Sequence, residues 1–187
     1  MPFRSGALSI RRYRLAEPLP ASFARMATMS LRRGAWRPVD DDRGERESFG
    51  WVNPRRLLER DLVWEDCVDG NLAFLAVRRD RKAFSKVLFR ARREVLFRAT
   101  LKEKGQARLS RQQRLALEEQ LAIEMLKEVS PVISFTEMVW DLHTGDFYIG
   151  ATGKSLCERI ADLFATTFDG RLVPQFPALW GHAAMCE

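Results

Sequence analysis

Residues 71–104 read NLAFLAVRRDRKAFSKVLFRARREVLFRATLKEK, and the hydrophobic period changes within that stretch. Asn71 to Lys82 is strand-sized: its first half is apolar and its second half is Arg78, Arg79, Asp80, Arg81 and Lys82. From Ser85 onward Leu88, Ala91, Val95 and Ala99 recur at helical spacing, with Phe89, Leu96 and Phe97 widening the stripe. Gly105 ends that helix, and Ser110 with Gln113 is a capping-box signature that opens another, running to about Glu128. A strand thus feeds two long helices joined by a few residues of Lys, Gly, Gln and Arg. That is a helical hairpin inserted into a chain that is otherwise rich in strands.

Working outward, Leu8 to Leu15 alternates apolar and polar side chains and reads as a first strand, closed by Pro18 and Pro20. Ala21 to Leu31 carries Phe23, Met26, Ala27 and Ser30 at helical spacing, with Ser22 as the expected N-cap. Residues 37–48 are a charged surface loop, and Phe49 to Val52 is a short apolar run stopped by Asn53-Pro54. After Pro131, Val132 to Leu142 and Asp146 to Ala151 read as paired strands turning at His143-Thr144-Gly145. Residues 153–168 form an amphipathic helix, with Thr152 as its expected cap and a last short strand at Leu172-Val173. The order predicts an α+β fold, an antiparallel sheet with helices packed on one face and a projecting helical hairpin. The expected domains are residues 1–84 with 130–187, and an insertion spanning 85–129.

The charge is more uneven than its total suggests. The 187 residues carry a net +6, yet residues 1–37 hold +7, 38–77 hold −5, 78–114 hold +11 and 115–187 hold −7. A block of +11 sets up a local field able to attract a polyanion, and its ten Arg to four Lys favour bidentate phosphate contacts. The alternative is that the acidic blocks neutralise it internally, leaving a protein-interaction module that docks a partner through Leu88, Val95, Phe97, Leu121 and Met125.

Enzyme chemistry is not visible in the sequence. Gly150-Ala151-Thr152-Gly153-Lys154-Ser155 ends like a phosphate-binding loop, but Tyr148 stands where that pattern needs its first Gly, and a helix entry explains the residues better. His143 and His182 lack ligand neighbours, and Asp40-Asp41-Asp42 lies among arginines as a solvated loop. The expectation is therefore no catalytic residue, no metal and no cofactor. Three scattered cysteines (Cys67, Cys157, Cys186) suit a reducing cytosol. No secretory signal or membrane-length apolar run is read in the sequence, so no membrane partner is expected.

Arg11-Arg12-Tyr13-Arg14-Leu15, Phe49-Gly50-Trp51-Val52-Asn53-Pro54, the Phe74–Lys82 strand entering a charged helical pair, and Met138-Val139-Trp140-Asp141 before a Gly turn all resemble the RdgC family. The resemblance spans roughly residues 7–174 and covers that family's centre and tip regions, not its base. It implies a non-enzymatic, nucleoid-associated cytoplasmic protein that binds duplex DNA with little sequence preference. It also implies a ring-shaped head-to-head homodimer that restrains a RecA-type recombinase by competing for DNA. The residues expected to meet phosphates are Arg11, Arg12, Arg14, Arg78, Arg79, Arg81, Lys82, Lys86, Arg90 and Arg93.

Overall fold

In a computed structural model, which describes residues 9–18, 20 and 22–175, the alternation and periodicity above resolve into twelve elements. They are β1 (Arg11–Leu15), α1 (Phe23–Arg33), β2 (Glu47–Val52), α2 (Trp64–Cys67), β3 (Val68–Asp69), β4 (Leu72–Arg81), α3 (Lys86–Lys104), α4 (Arg111–Lys127), β5 (Val132–Asp141), β6 (Asp146–Ile149), α5 (Lys154–Phe168) and β7 (Leu172–Pro174). The fold is α+β. Its seven-stranded antiparallel sheet has the order β2-β4-β5-β6-β1-β7, with β3 paired to β4.

The chain divides into two compact units. One comprises the described parts of Met1–Arg37, Phe49–Arg79 and Ser134–Glu187; the other comprises Pro38–Ser48 and Asp80–Ile133. The second unit is therefore larger than a bare hairpin, because it also takes in the acidic loop and the end of β4.

The first unit is organised by strand alternation. Tyr13 lies opposite Phe147, which lies opposite Trp140, so three adjacent strands present one aromatic row. Because side chains alternate, Arg12 and Arg14 fall on the other face. Helices cover the aromatic face: Ala27 and Leu31 from α1, Trp64 and Cys67 from α2, and Cys157, Ile160, Phe164 and Phe168 from α5. Ring centroids lie 5.2 Å apart for Phe23–Trp64 and Trp140–Phe164, and 4.9 Å for Phe164–Phe168, mostly edge-on or tilted. Burial at 160, 164 and 168 follows from their spacing of one helical turn.

The Gly50-Trp51 pair is a backbone crossing. Trp36 N–H donates to the Trp51 carbonyl and Trp51 N–H to that of Gly34, each at 2.9 Å, and the Trp51 indole donates to Thr167 Oγ1 at 2.8 Å. A Cβ on residue 50 would sit 2.5 Å from Trp36 N. Asn53 then closes the following turn, its Oδ1 accepting from the N–H groups of Arg55 and Arg56.

Two expected caps differ. Ser22 stands before α1 in helical conformation without a side-chain cap bond, and α5 is preceded by Gly153 rather than capped by Thr152. Ser85 and Ser110 do cap α3 and α4, the latter in a full capping box with Gln113. The short α2 and β3 have no period for a sequence reading to detect. His182, Trp180 and Cys186 lie outside the described residues.

Gly50→Ala should destabilise the protein by about 1–3 kcal/mol, because the obstructing atoms are backbone and cannot rotate away. Gly153→Ala, which meets nothing within 4 Å, should change stability little. Urea unfolding of both variants checks this; equal midpoints would refute the crossing as a constraint.

Candidate functional site

Strand geometry separates the arginines that the sequence groups together. On β4, Arg78 and Asp80 share one face while Arg79 and Arg81 share the other. Arg78 is 8% exposed, its guanidinium 3.7 Å from the centre of the Trp36 ring and 6.0 Å from that of Phe135. That is a stacked, internal arginine. Arg79 is half-buried, and its carbonyl accepts from Ser134 Oγ at 3.3 Å. Arg81 is exposed and, among the described residues, has no ion-pair partner.

Lys82 is also buried. Its Nζ donates to both oxygens of Asp41, at 2.6 and 2.7 Å, and to the Leu126 carbonyl at 3.2 Å. Three N–H donors meet three acceptors, so this ammonium has none left for a phosphate. The acidic loop supplies the counter-charge: Lys127 pairs with Asp42, and Asp40 Oδ1 accepts the loop's own N–H groups at Asp42 and Arg43.

On β1, Arg12 meets Asp146 in two bonds, Nε to Oδ1 at 3.2 Å and Nη2 to Oδ2 at 2.7 Å. Arg14 lies 3.7 Å from the same carboxylate and keeps 55% of its side chain exposed. Arg11 takes the opposite face beside Tyr13, whose phenol burial pushes above its ordinary range.

On α3, Lys86 and Arg90 lie one turn apart and exposed, with no ion-pair partner among the described residues. Arg93 pairs with Glu118 at 3.2 Å and Arg92 with Glu128 at 2.8 Å. Leu121 and Met125 are buried, whereas Val95 is 66% and Leu88 46% exposed. The face of α3 carrying Leu88, Ala91, Val95 and Ala99 is thus exposed, whereas Phe89 and Leu96 are half-buried and Thr100 is buried.

Five further cations of the basic block, Lys102, Lys104, Arg108, Arg111 and Arg114, are exposed and likewise have no ion-pair partner among the described residues. They lie outside the set expected from the sequence. The signal that could have found them is that only Glu103 accompanies them between 102 and 114.

The remaining motifs are structural. Lys154 reaches toward Glu158 at 3.8 Å, one turn along α5, instead of closing on a phosphate cradle. Asp141 Oδ1 accepts from the N–H groups of His143 and Thr144, which holds the β5–β6 turn and keeps its carboxyl below the usual range. Among the described residues, no three His, Cys, Asp or Glu side chains gather as metal ligands, and no helix is long and apolar enough to cross a membrane.

These features define an α+β protein with a cation-rich helical pair inserted between two strands of its sheet. The sequence matches, over residues 8–183, the family model described as "Putative exonuclease, RdgC". The chain belongs to the RdgC family. No curated protein matches it.

Asp41→Ala should cost about 1–3 kcal/mol more stability than Lys82→Met, because only the former strands a buried ammonium; urea midpoints of the two variants and the double variant measure it. Acid should loosen the second unit as well. Hydrogen bonds from Lys127 and Arg92 hold the carboxyls of Asp42 and Glu128 below their ordinary values of 3.8 and 4.5. Groups whose folded pKa is depressed stabilise above the unfolded value and lose that contribution as pH falls through the folded one. Melting temperatures of Arg92→Ala/Lys127→Ala should therefore depend less on pH below about 4.5 than those of the unmodified protein.

Proposed function

We propose that this protein is a non-enzymatic, sequence-tolerant DNA-binding protein. It acts in recombination and replication by occupying duplex DNA at the nucleoid and limiting the access of a RecA-type recombinase. Family membership supports the setting. The observation that carries the reading is how the basic block is compensated. Of its fourteen cations, Lys82, Arg92, Arg93 and Arg98 are held by carboxylates, Arg78 is stacked on Trp36 and Arg79 is half-buried. The other eight, all in the second unit, have no carboxylate within ion-pair distance among the described residues. Such charge binds phosphates and releases counterions without reading bases.

With about six phosphate contacts, log K against log salt should fall with a slope near −5. Arg81→Glu with Arg90→Glu should weaken binding on two unrelated duplexes by similar factors, read by fluorescence anisotropy. Loss confined to one sequence, or affinity indifferent to salt, would refute the reading. End-labelled duplex held with Mg²⁺ or Mn²⁺ should stay full-length; stepwise shortening would replace the non-enzymatic half of the proposal with the activity in the family's description.

A second reading, a protein-interaction module, draws on the exposed Leu88–Val95 face of α3. It is compatible with the first if the partner is another copy of this chain. Val95→Glu should then convert a dimer to a monomer on sizing chromatography while the fold is kept.

A further inference from the structure

We infer that the outward face of α1, where Met26 and Met29 stand exposed between Arg25 and Arg33, is a docking surface for an acidic amphipathic peptide segment of another protein. This face belongs to the first unit, and none of its residues is among those expected to meet phosphates.

The helical period aims these side chains. Successive residues of α1 turn by about 100°, so the direction opposite Ala27 and Leu31 is that of Met29. Ala27 and Leu31 are 1% and 0% exposed, whereas Met26 is 56% and Met29 59% exposed. Arg25 and Arg33 lie one turn before and one turn after Met29, about 40° to either side of it. An apolar patch framed by two guanidiniums therefore faces solvent. Behind it the helix is held by the core, and Thr28 Oγ1 accepts from Trp64 N–H at 3.0 Å.

The charge of α1 is one-sided. Its sequence, FARMATMSLRR, holds three arginines and no acid, a net +3. Arg32 is engaged within the fold, its Nε donating to the Leu62 carbonyl and its Nη2 to Asp61 Oδ1, each at 3.1 Å. Arg25 and Arg33 are exposed and have no ion-pair partner among the described residues. Arg25 also works against the helix, because it stands in the first turn, at the positive end of the dipole, with no acid beside it.

Counter-charge for Arg25 and Arg33 must come from a ligand, and the methionines decide its kind. A phosphodiester backbone would meet both guanidiniums but has nothing apolar to cover Met29 at the centre of the face. A helix that lies in an anionic membrane presents a broad apolar side of Trp, Phe or Leu. Here two methionines are the large apolar side chains that α1 exposes. A peptide bearing both carboxylates and a large apolar side chain complements every part of the face. Its carboxylates accept paired N–H donors from the guanidiniums, and its apolar group lies against thioethers flexible enough to fit the shape that arrives.

The test is anisotropy of a fluorescein-labelled synthetic peptide of Glu and Leu, its leucines at helical spacing, titrated with the full chain; in a twin peptide Ser replaces every Leu. The unmodified chain should bind the Glu/Leu peptide, and added salt should weaken the complex. Met26→Ser/Met29→Ser and Arg25→Gln/Arg33→Gln should each lower the affinity about tenfold, with circular dichroism confirming that both variants fold. The Leu-free twin should bind the unmodified chain more weakly by a similar factor, a comparison that needs no variant. If the Met variant keeps its affinity, or the twin binds as tightly as the Glu/Leu peptide, the attraction is ionic alone and the inference is overturned. Failure of the unmodified chain to bind the Glu/Leu peptide overturns it as well. If the Gln substitutions weaken binding to duplex DNA or to phosphatidylserine–phosphatidylcholine vesicles and leave the peptide unaffected, the face serves that other ligand and the inference is again overturned. A chain that binds the peptide as described but no DNA upholds the docking face while the DNA-binding reading falls.

Discussion

The buried ammonium of Lys82 is the constraint on which the second unit turns. It sits at the end of β4, yet its partners are Asp41 from the loop before β2 and the Leu126 carbonyl from the last turn of α4. One side chain therefore joins three segments far apart in sequence. An unpaired charge in that position would cost several kcal/mol, so the three segments stay together or come apart together. Lys127 on Asp42 repeats the link, Lys82 N–H donates to the Arg46 carbonyl at 2.8 Å, and the Arg46 guanidinium lies 5.3 Å from the centre of the Phe84 ring. The acidic loop is thus the counter-ion of the helical pair. This is why the second unit extends past the hairpin to include residues 38–48.

Internal pairing of this kind determines which cations remain for a ligand. Every carboxylate used inside the fold removes one arginine or lysine from the surface field. The pairing is uneven: it is dense where α4 ends against the acidic loop and where Arg93 meets Glu118, and among the described residues it is missing around the α3–α4 connection. A net charge summed along the sequence cannot show that, because Asp41 and Lys82 are 41 positions apart and cancel only after folding.

Much of the fold is legible in the sequence because it follows from period and turn chemistry. The change of period at Ser85, the Ser110–Gln113 box and the turn after Asp141 are local, and local geometry suffices to read them. The site is less legible, for two physical reasons. Arg78 and Arg79 are neighbours in sequence, but a strand sends them to opposite faces, and only tertiary packing reveals that Trp36 lies over one of them. Likewise, the Leu88–Val95 stripe reads only as an apolar helix face, and it takes the fold to show that this face stays in solvent while Leu121 and Met125 of α4 are buried. A helical stripe shows that an apolar face exists, but not which neighbour covers it.

Arginine performs two kinds of work in this protein, and exposure separates them. Arg78 over Trp36 and Arg159 over Phe49, whose guanidinium lies 4.3 Å from the ring centre, use the flat face of the guanidinium as a packing surface. A lysine there would lose the stack, so the residue type serves the fold. Arg108, Arg111 and Arg114 have, among the described residues, no ring or carboxylate to pack against, and their long side chains lose entropy only when something arrives to hold them. Polyphosphate backbones supply enough fixed charge to offset that loss, and salt competes with them directly. The arginine content of this chain therefore overstates its uncompensated positive charge. The relevant quantity is the smaller set of guanidiniums to which folding gives no partner.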